Sequence, residues 1–197
     1  MITKLSKKVS FYFSQNKMIE SNDREVFEYS FEVLFSTFMN FGAVAVIAFL
    51  TNSIHITALY LLGFIPMRLI AGGYHAKTHL RCFLLLLVNY SLLLLAVRLV
   101  PITIANDVAL ILLAGSIMTI LILAPVADQN KPLSENEYRR NKAISQISAS
   151  IYTGLLVLII SFCNDSRIAL PIVLGLFSVA LSLLSSVIRD RIVSNST

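Results

Sequence analysis

The sequence predicts an all-α, polytopic integral membrane protein with about six transmembrane helices. Of its 197 residues, 56% are hydrophobic and only 14% are charged, against roughly 25% charged residues in soluble proteins. The apolar residues come in blocks of about twenty, the length that crosses a bilayer as a helix. These blocks predict spans at about 34–52, 55–71, 82–100, 106–125, 143–163 and 168–188.

The spans form one predicted helical membrane domain, residues 31–197, preceded by an N-terminal segment, residues 1–30. Pro66 and Arg68 interrupt the second span, which favours a kinked or re-entrant segment there. The longest interior loop, residues 124–142, is polar. In it, Ser134 and Glu137 have the spacing of a capping box that opens a helix into the fifth span.

The basic residues predict the topology. The chain has 16 Lys and Arg residues, and all except Arg98 and Arg167 flank the same ends of the spans. By the positive-inside rule, both termini and the stretch around residues 68–82 are then expected on the cytoplasmic side of the membrane. The formal charge of +5 reports orientation and does not indicate nucleic-acid binding.

The N-terminal segment has no apolar region followed by a cleavage site, so it is not a cleavable signal peptide. The apolar residues that can share one helix face are Leu5, Val9, Tyr12 and Phe13. The basic residues beside them are Lys4, Lys7 and Lys8. This pattern favours an amphipathic helix on the membrane surface, and a plain charged anchor is the alternative.

The middles of the predicted spans contain no Asp, Glu, Lys or Arg. Ion-driven carriers usually need such groups at depth, so this class of transporter is disfavoured. The last span instead has Ser178, Ser182 and Ser185 at helical spacing. Small polar residues at this spacing favour close packing of helices over a substrate path.

Reactive side chains concentrate in the stretch RLIAGGYHAKTHLRCFLLLL, residues 68–87. Gly72 and Gly73 are expected to end the second span, and Cys82 to lie at the cytoplasmic start of the third. The positive end of the helix dipole and Arg81 both favour the thiolate, which is the nucleophilic form. Cys82 is therefore a candidate nucleophile. A disulfide with Cys163 is not expected, because the two cysteines lie near opposite membrane faces. Cys163 has apolar neighbours and is interpreted as an inert packed thiol.

A cysteine nucleophile needs a base, and His75 and His79 are both near. On one unbroken helix, His75 would lie about 10.5 Å along the axis from Cys82, whereas His79 is one turn away. Spacing alone thus favours His79. Two other interpretations stay open at this point: ordinary interfacial side chains without chemistry, and a metal site formed by His75, His79 and Cys82.

The stretch resembles the signature of the accessory gene regulator B (AgrB) family, membrane peptidases of bacterial quorum sensing. The matching residues are Arg68, Gly72, Gly73, His75, Ala76 and Cys82. The later loop resembles a second family segment, with matches at Pro125, Val126, Asn130, Lys131, Pro132 and Leu133. Length, six apolar segments and a basic N-terminus agree with the resemblance, which covers nearly the whole chain.

The resemblance implies that His75 is the base, that Cys82 is the nucleophile, and that the chain bends between Ala76 and Arg81. It implies a thiol protease that removes the tail of an AgrD-type propeptide and cyclises the remainder, through a Cys82 thioester, to a lactone or thiolactone. It implies a multi-pass protein of the bacterial plasma membrane with its active site on the cytoplasmic side, and it suggests a homodimer. No cofactor and no metal are expected, because no fourth metal ligand lies beside His75, His79 and Cys82. The alternative function is a peptide or small-molecule transporter without covalent catalysis.

The remaining candidates shape the site or bind the substrate. On the cytoplasmic face, Arg139, Arg140 and Lys142 form a basic cluster that can steer an acidic peptide tail. The further site-shaping candidates are Arg68, Gly72, Gly73, Lys77 and Arg81.

Overall fold

A computed structural model describes residues 2–16, 18–20, 23–74, 78–126, 133–163 and 166–194. The helices within these ranges are α1 (Ile2–Gln15), α2 (Arg24–Leu50), α3 (Ile54–Ala71), α4 (His79–Leu99), α5 (Ile102–Leu123), α6 (Glu135–Leu158) and α7 (Ser166–Ser194). A π-helical turn, Ile159–Cys163, follows α6. No β-strand occurs in the described ranges, so the predicted all-α class is confirmed.

Six of these helices are long and apolar enough to cross a membrane. Their segments are Arg24–Leu50, Ile54–Ala71, Leu80–Leu99, Ile102–Leu123, Glu135–Phe162 and Arg167–Arg189. All six predicted spans are therefore present, and the chain is a multi-pass membrane protein. Two of the helices, α2 and α6, begin well before the apolar blocks that predicted them, because polar residues continue the same helix.

The second predicted span, for which a kinked or re-entrant segment was expected, is one continuous helix, α3, with Pro66 inside it. Proline has no backbone N–H, so the carbonyl oxygen of Leu62, four residues earlier, lacks its helical donor. The hydroxyl of Tyr152 in α6 donates a hydrogen bond of 2.6 Å to that oxygen. A side chain from a neighbouring helix thus supplies the partner that proline removes, as a helix in lipid requires.

The chain divides into two compact units, and the first comprises Met1–Asn52 and Lys77–Val88. In it, α1 lies against α2 through the fully buried Ser6 and Ser10. The rings of Phe13 and Phe31 are 5.4 Å apart between centroids. This contact leaves Leu5 and Tyr12 exposed, so the helix is confirmed and its position on the membrane surface stays a prediction.

The second unit comprises Ser53–Ala76 and Asn89–Thr197, and α7 forms its core. Within its membrane-spanning window α7 is 67% buried, whereas no other span exceeds 28%. It packs against α3 and α5. Backbones of α3 and α7 touch where Gly63 and Gly175 face each other, since a methyl group on either would overlap the other helix.

Polar side chains buried among the spans of the second unit bond to one another. The hydroxyls of Thr57 and Tyr90 are 2.5 Å apart. Ser178 Oγ donates to Asn89 Oδ1 at 3.0 Å. Ser178 thus joins two helices, which agrees with the prediction that the serines of the last span serve packing.

The predicted capping box opens α6. The amide of Glu137 donates to Ser134 Oγ at 3.3 Å, and the amide of Ser134 donates to Glu137 Oε2 at 2.9 Å. Both orphan amide groups are thereby satisfied. The helix that leads from the polar loop into the fifth span therefore begins where the sequence indicated.

Candidate functional site

Cys82 lies in the first turn of α4, which is the start of the third span. Its thiol is free and partly exposed. Its amide donates to the carbonyl oxygen of Thr78 at 3.1 Å, and the amide of Arg81 donates to Thr78 Oγ1 at 3.3 Å. Thr78 is thus the N-terminal cap of the helix that carries the candidate nucleophile.

The role of Thr78 was missed in the sequence, although a threonine before an apolar run is a usual capping signal. Its two hydrogen bonds engage the amides of Arg81 and Cys82, so these two groups are not open donors for an oxyanion. The side chain of Arg81 is exposed, as expected for a charge at the membrane edge.

Two predicted site residues, His75 and Lys77, lie outside the described residues. His79 is the first residue of α4, but its side chain lies outside them as well. Thr78 is not helical, so one unbroken helix does not run from His75 to Cys82. The choice of His75 over His79 as the base stays a prediction.

Gly72 and Gly73 end α3, as the sequence predicts. Their φ angles are 71° and 117°, which lie in the region that side chains disfavour and glycine accepts. The amide of Gly72 still donates to the carbonyl of Arg68 at 3.1 Å. The chain leaves the helix at this point and enters the segment that leads to His75.

The two motif segments that the sequence suggested separately pair with each other. The amide of Val126 donates to the carbonyl of Ala71 at 2.9 Å, and Gly72 and Val126 form an isolated parallel β-bridge. A methyl group on Gly72 would overlap the carbonyl oxygen of Val126. Val126, which follows the cis-proline Pro125, therefore lies directly against Gly72.

Arg68 joins residues 72–74, called the glycine segment below, to α7. Its Nη1 donates to the carbonyl oxygen of Gly72 at 2.5 Å and to Ser182 Oγ at 2.6 Å. Its Nη2 donates to the carbonyl oxygen of Tyr74 at 2.5 Å. The amide of Tyr74 in turn donates to the carbonyl of Ser182 at 3.1 Å. Arg68 is partly buried, so these bonds are partly shielded from water.

The predicted basic cluster lies on exposed positions near the start of α6. Arg139 Nη2 is 2.6 Å from Glu135 Oε1, and Lys142 Nζ lies 5.9 Å from the centroid of the Tyr138 ring. Arg140 is exposed beside them. The charge of Arg139 is thus offset locally, which the sequence analysis did not anticipate.

Comparison with known proteins identifies the family. The sequence model of accessory gene regulator B matches residues 6–184. This range includes the glycine segment, Cys82 and the loop that begins at Ala124. Neither the comparison with curated proteins nor the comparison with solved structures gives a match. The match spans most of the chain, and the chain therefore belongs to the accessory gene regulator B family of quorum-sensing membrane proteins.

Proposed function

We propose that this chain is a membrane cysteine endopeptidase that cleaves an AgrD-type propeptide and cyclises the signal segment. One observation carries the proposal: a family member presents a free, partly exposed cysteine in the first turn of a membrane-spanning helix. A helix start concentrates positive potential at that thiol. A thiolate at a membrane edge can reach a peptide that is adsorbed to the same surface.

In the first step, His75 takes the proton of the Cys82 thiol and the sulfur attacks the carbonyl between signal segment and tail. The C–N bond breaks and the new amine of the tail takes the proton from His75. The signal segment remains on Cys82 as a thioester. The assignment of His75 as the base follows the family pattern. The spacing of the residues alone favours His79.

In the second step, a cysteine or serine side chain of the signal segment attacks the Cys82 thioester. The C–S bond to the enzyme breaks, Cys82 regains its proton, and a thiolactone or lactone leaves. The energy of the cleaved peptide bond is thereby kept in the acyl group until the ring closes. Hydrolysis competes with closure, so a site that limits access of water favours the ring.

The location and partners of this reaction follow from charge and family. The positive-inside pattern favours a site on the cytoplasmic face of the plasma membrane. Exposed basic residues on α6, above all Arg140, suit an acidic tail. The family resemblance adds a homodimer as the proposed assembly, and no cofactor or nucleic acid takes part in the scheme.

Co-expression of an AgrD-type propeptide with variant enzymes tests the proposal. Wild type and His79→Ala are expected to release the tail, whereas Cys82→Ala and His75→Ala are expected to leave the propeptide intact. Membrane insertion of each variant is checked by its abundance in the membrane fraction. Tail release by Cys82→Ala would contradict the proposal and favour a transporter or a non-catalytic scaffold.

A further inference from the structure

The guanidinium of Arg68 donates hydrogen bonds to the main chain of the segment before His75. Among the bonds described, two go to carbonyl oxygens, those of Gly72 and Tyr74, and another goes to Ser182 on α7. A guanidinium can reach these acceptors together because its N–H groups form a rigid planar fork. A lysine ammonium is a point charge on a flexible stem and does not reproduce that fork.

The carbonyl of Tyr74 belongs to the peptide bond that continues into His75. The hydrogen bond from Arg68 to this carbonyl therefore holds the last described residue before the proposed base. The other side of Tyr74 is held as well, since its amide donates to the carbonyl of Ser182.

Two further residues, Gly73 and Arg189, support the contact between this segment and α7. A methyl group on Gly73 would overlap Arg68 Nη1 and would lie 2.8 Å from Ser182 Oγ, so only glycine lets the segment come this close. The guanidinium of Arg189, two turns further along α7, lies 5.2 Å from the centroid of the Tyr74 ring. All of these residues lie within the second unit.

We propose that Arg68 and Ser182 are positioning residues, which hold residues 72–74 on α7 and thereby set the place of His75 in the reaction. The inference rests on the proposed function for its catalytic consequence. It assigns to Arg68 a task that neither its charge nor its place near a membrane edge explains. It also gives Ser182 a specific partner, whereas the sequence suggested only helix packing.

The kinetic test uses purified enzyme in proteoliposomes with an AgrD-type propeptide. A loosened base lowers kcat and leaves KM unchanged, because substrate binding does not involve residues 72–74 in this account. Arg68→Ala is expected to lower kcat about 100-fold, the loss that a 1 Å misplacement can cause. Ser182→Ala removes one neutral acceptor and is expected to lower kcat about fivefold.

Two comparisons separate positioning from charge and from general packing. Arg68→Lys keeps the charge and is expected to remain at least about tenfold below wild type. Ser185→Ala is the matched control, because the hydroxyl of Ser185 is exposed and bonds only the carbonyl of Leu181 in its own helix among the described contacts. Its kcat is expected to equal that of wild type.

Combining the Arg68 and Ser182 substitutions provides a further check on the inference. In the Arg68→Ala background, Ser182→Ala is expected to cause little additional loss, because the two residues act as one unit. A full fivefold loss in that background, or wild-type kcat in a folded Arg68→Ala variant, would overturn the inference. If Arg68→Ala does not fold, Ser182→Ala and Arg68→Lys decide the question.

Hydrogen exchange at the Tyr74 amide tests the contact without any reaction. Exchange is expected to accelerate at least about fivefold in Ser182→Ala and Arg68→Ala, and to be unchanged in Ser185→Ala. Absence of tail release by wild type would defeat the proposed function while this measurement still tests the contact. Slow exchange in every variant would show that Arg68 does not hold the segment.

Discussion

The hydroxyl of Tyr152 donates to the carbonyl oxygen of Leu62, the oxygen that Pro66 leaves without a helical donor. The bond joins α6 to the middle of α3. Without it, a carbonyl inside a membrane-spanning helix would lack a partner, and lipid offers none. The helix that ends in the glycine segment, α3, is therefore stabilised by α6 at the turn where Pro66 removes a backbone hydrogen bond.

Tyr152→Phe is expected to lower the free energy of unfolding by about 0.6–1.7 kcal/mol, the values from the average to the maximum for hydrogen bonds between membrane helices. In a Pro66→Ala background the amide of residue 66 can bond to Leu62 itself, so the same change is expected to have almost no effect. Unfolding by SDS titration in mixed micelles measures both values. Tyr29→Phe, at an exposed position of α2, is the control, and equal losses in the two backgrounds would contradict this role.

Thr78 is expected to control fraying at the start of α4. Thr78→Val removes the oxygen that accepts from Arg81, and an N-terminal cap is worth about 1 kcal/mol. Hydrogen exchange at the amides of Arg81 and Cys82 should then accelerate about fivefold, whereas Thr78→Ser should keep the wild-type rate. Thr119→Val, which removes a hydroxyl inside α5, serves as control. An unchanged rate in Thr78→Val would show that the cap has no energetic effect.

The capping box of α6 is expected to matter more than the neighbouring ion pair. Ser134→Ala should lower the free energy of unfolding by about 1 kcal/mol, because it leaves an amide of the first turn without a partner. Glu135→Gln breaks the exposed pair with Arg139 and should change it by no more than about 0.5 kcal/mol. Chemical unfolding of both variants gives the comparison, and the reverse order of effects would refute it.

Arg140 is expected to attract an acidic tail more strongly than Arg139 does, because Glu135 already offsets the charge of Arg139. At low salt, Arg140→Gln should lower kcat/KM for tail release about two- to fivefold, and Arg139→Gln should lower it less. Both effects should shrink at 1 M salt, where charges are screened within about 3 Å. A propeptide with a neutralised tail is the control. Equal losses of kcat/KM in Arg140→Gln and Arg139→Gln that do not change with salt would rule out steering.

Features that depend on short spacing could be predicted from the sequence. The six spans, the glycine break and the Ser134–Glu137 cap each follow from residues within one helix or turn. The same local reasoning suggests Thr78 as a cap, and there the signal was overlooked. The apolar blocks alone placed the starts of α2 and α6 too late, because polar residues can continue a helix beyond its apolar block; at α6 the capping box gave the correct start.

Contacts between distant residues could not be predicted in this way. Arg68 and Ser182 are 114 residues apart, and neither residue type identifies the other as its partner. The pairing of Val126 with Ala71 and the bond from Tyr152 to Leu62 likewise depend on how the helices assemble. The family resemblance marked Arg68 and Val126 as relevant, but only the structure gives the physical reason for their contacts.

The most direct test of the central claim is intact-protein mass spectrometry of the enzyme, quenched in acid during reaction with an AgrD-type propeptide. Wild type is expected to gain the mass of the signal-bearing fragment minus one water, on Cys82, as an adduct that neutral hydroxylamine removes. Blocking the ring-closing residue of the propeptide should increase that adduct. Tail release without any hydroxylamine-sensitive adduct on Cys82, or tail release by Cys82→Ala, would contradict the account.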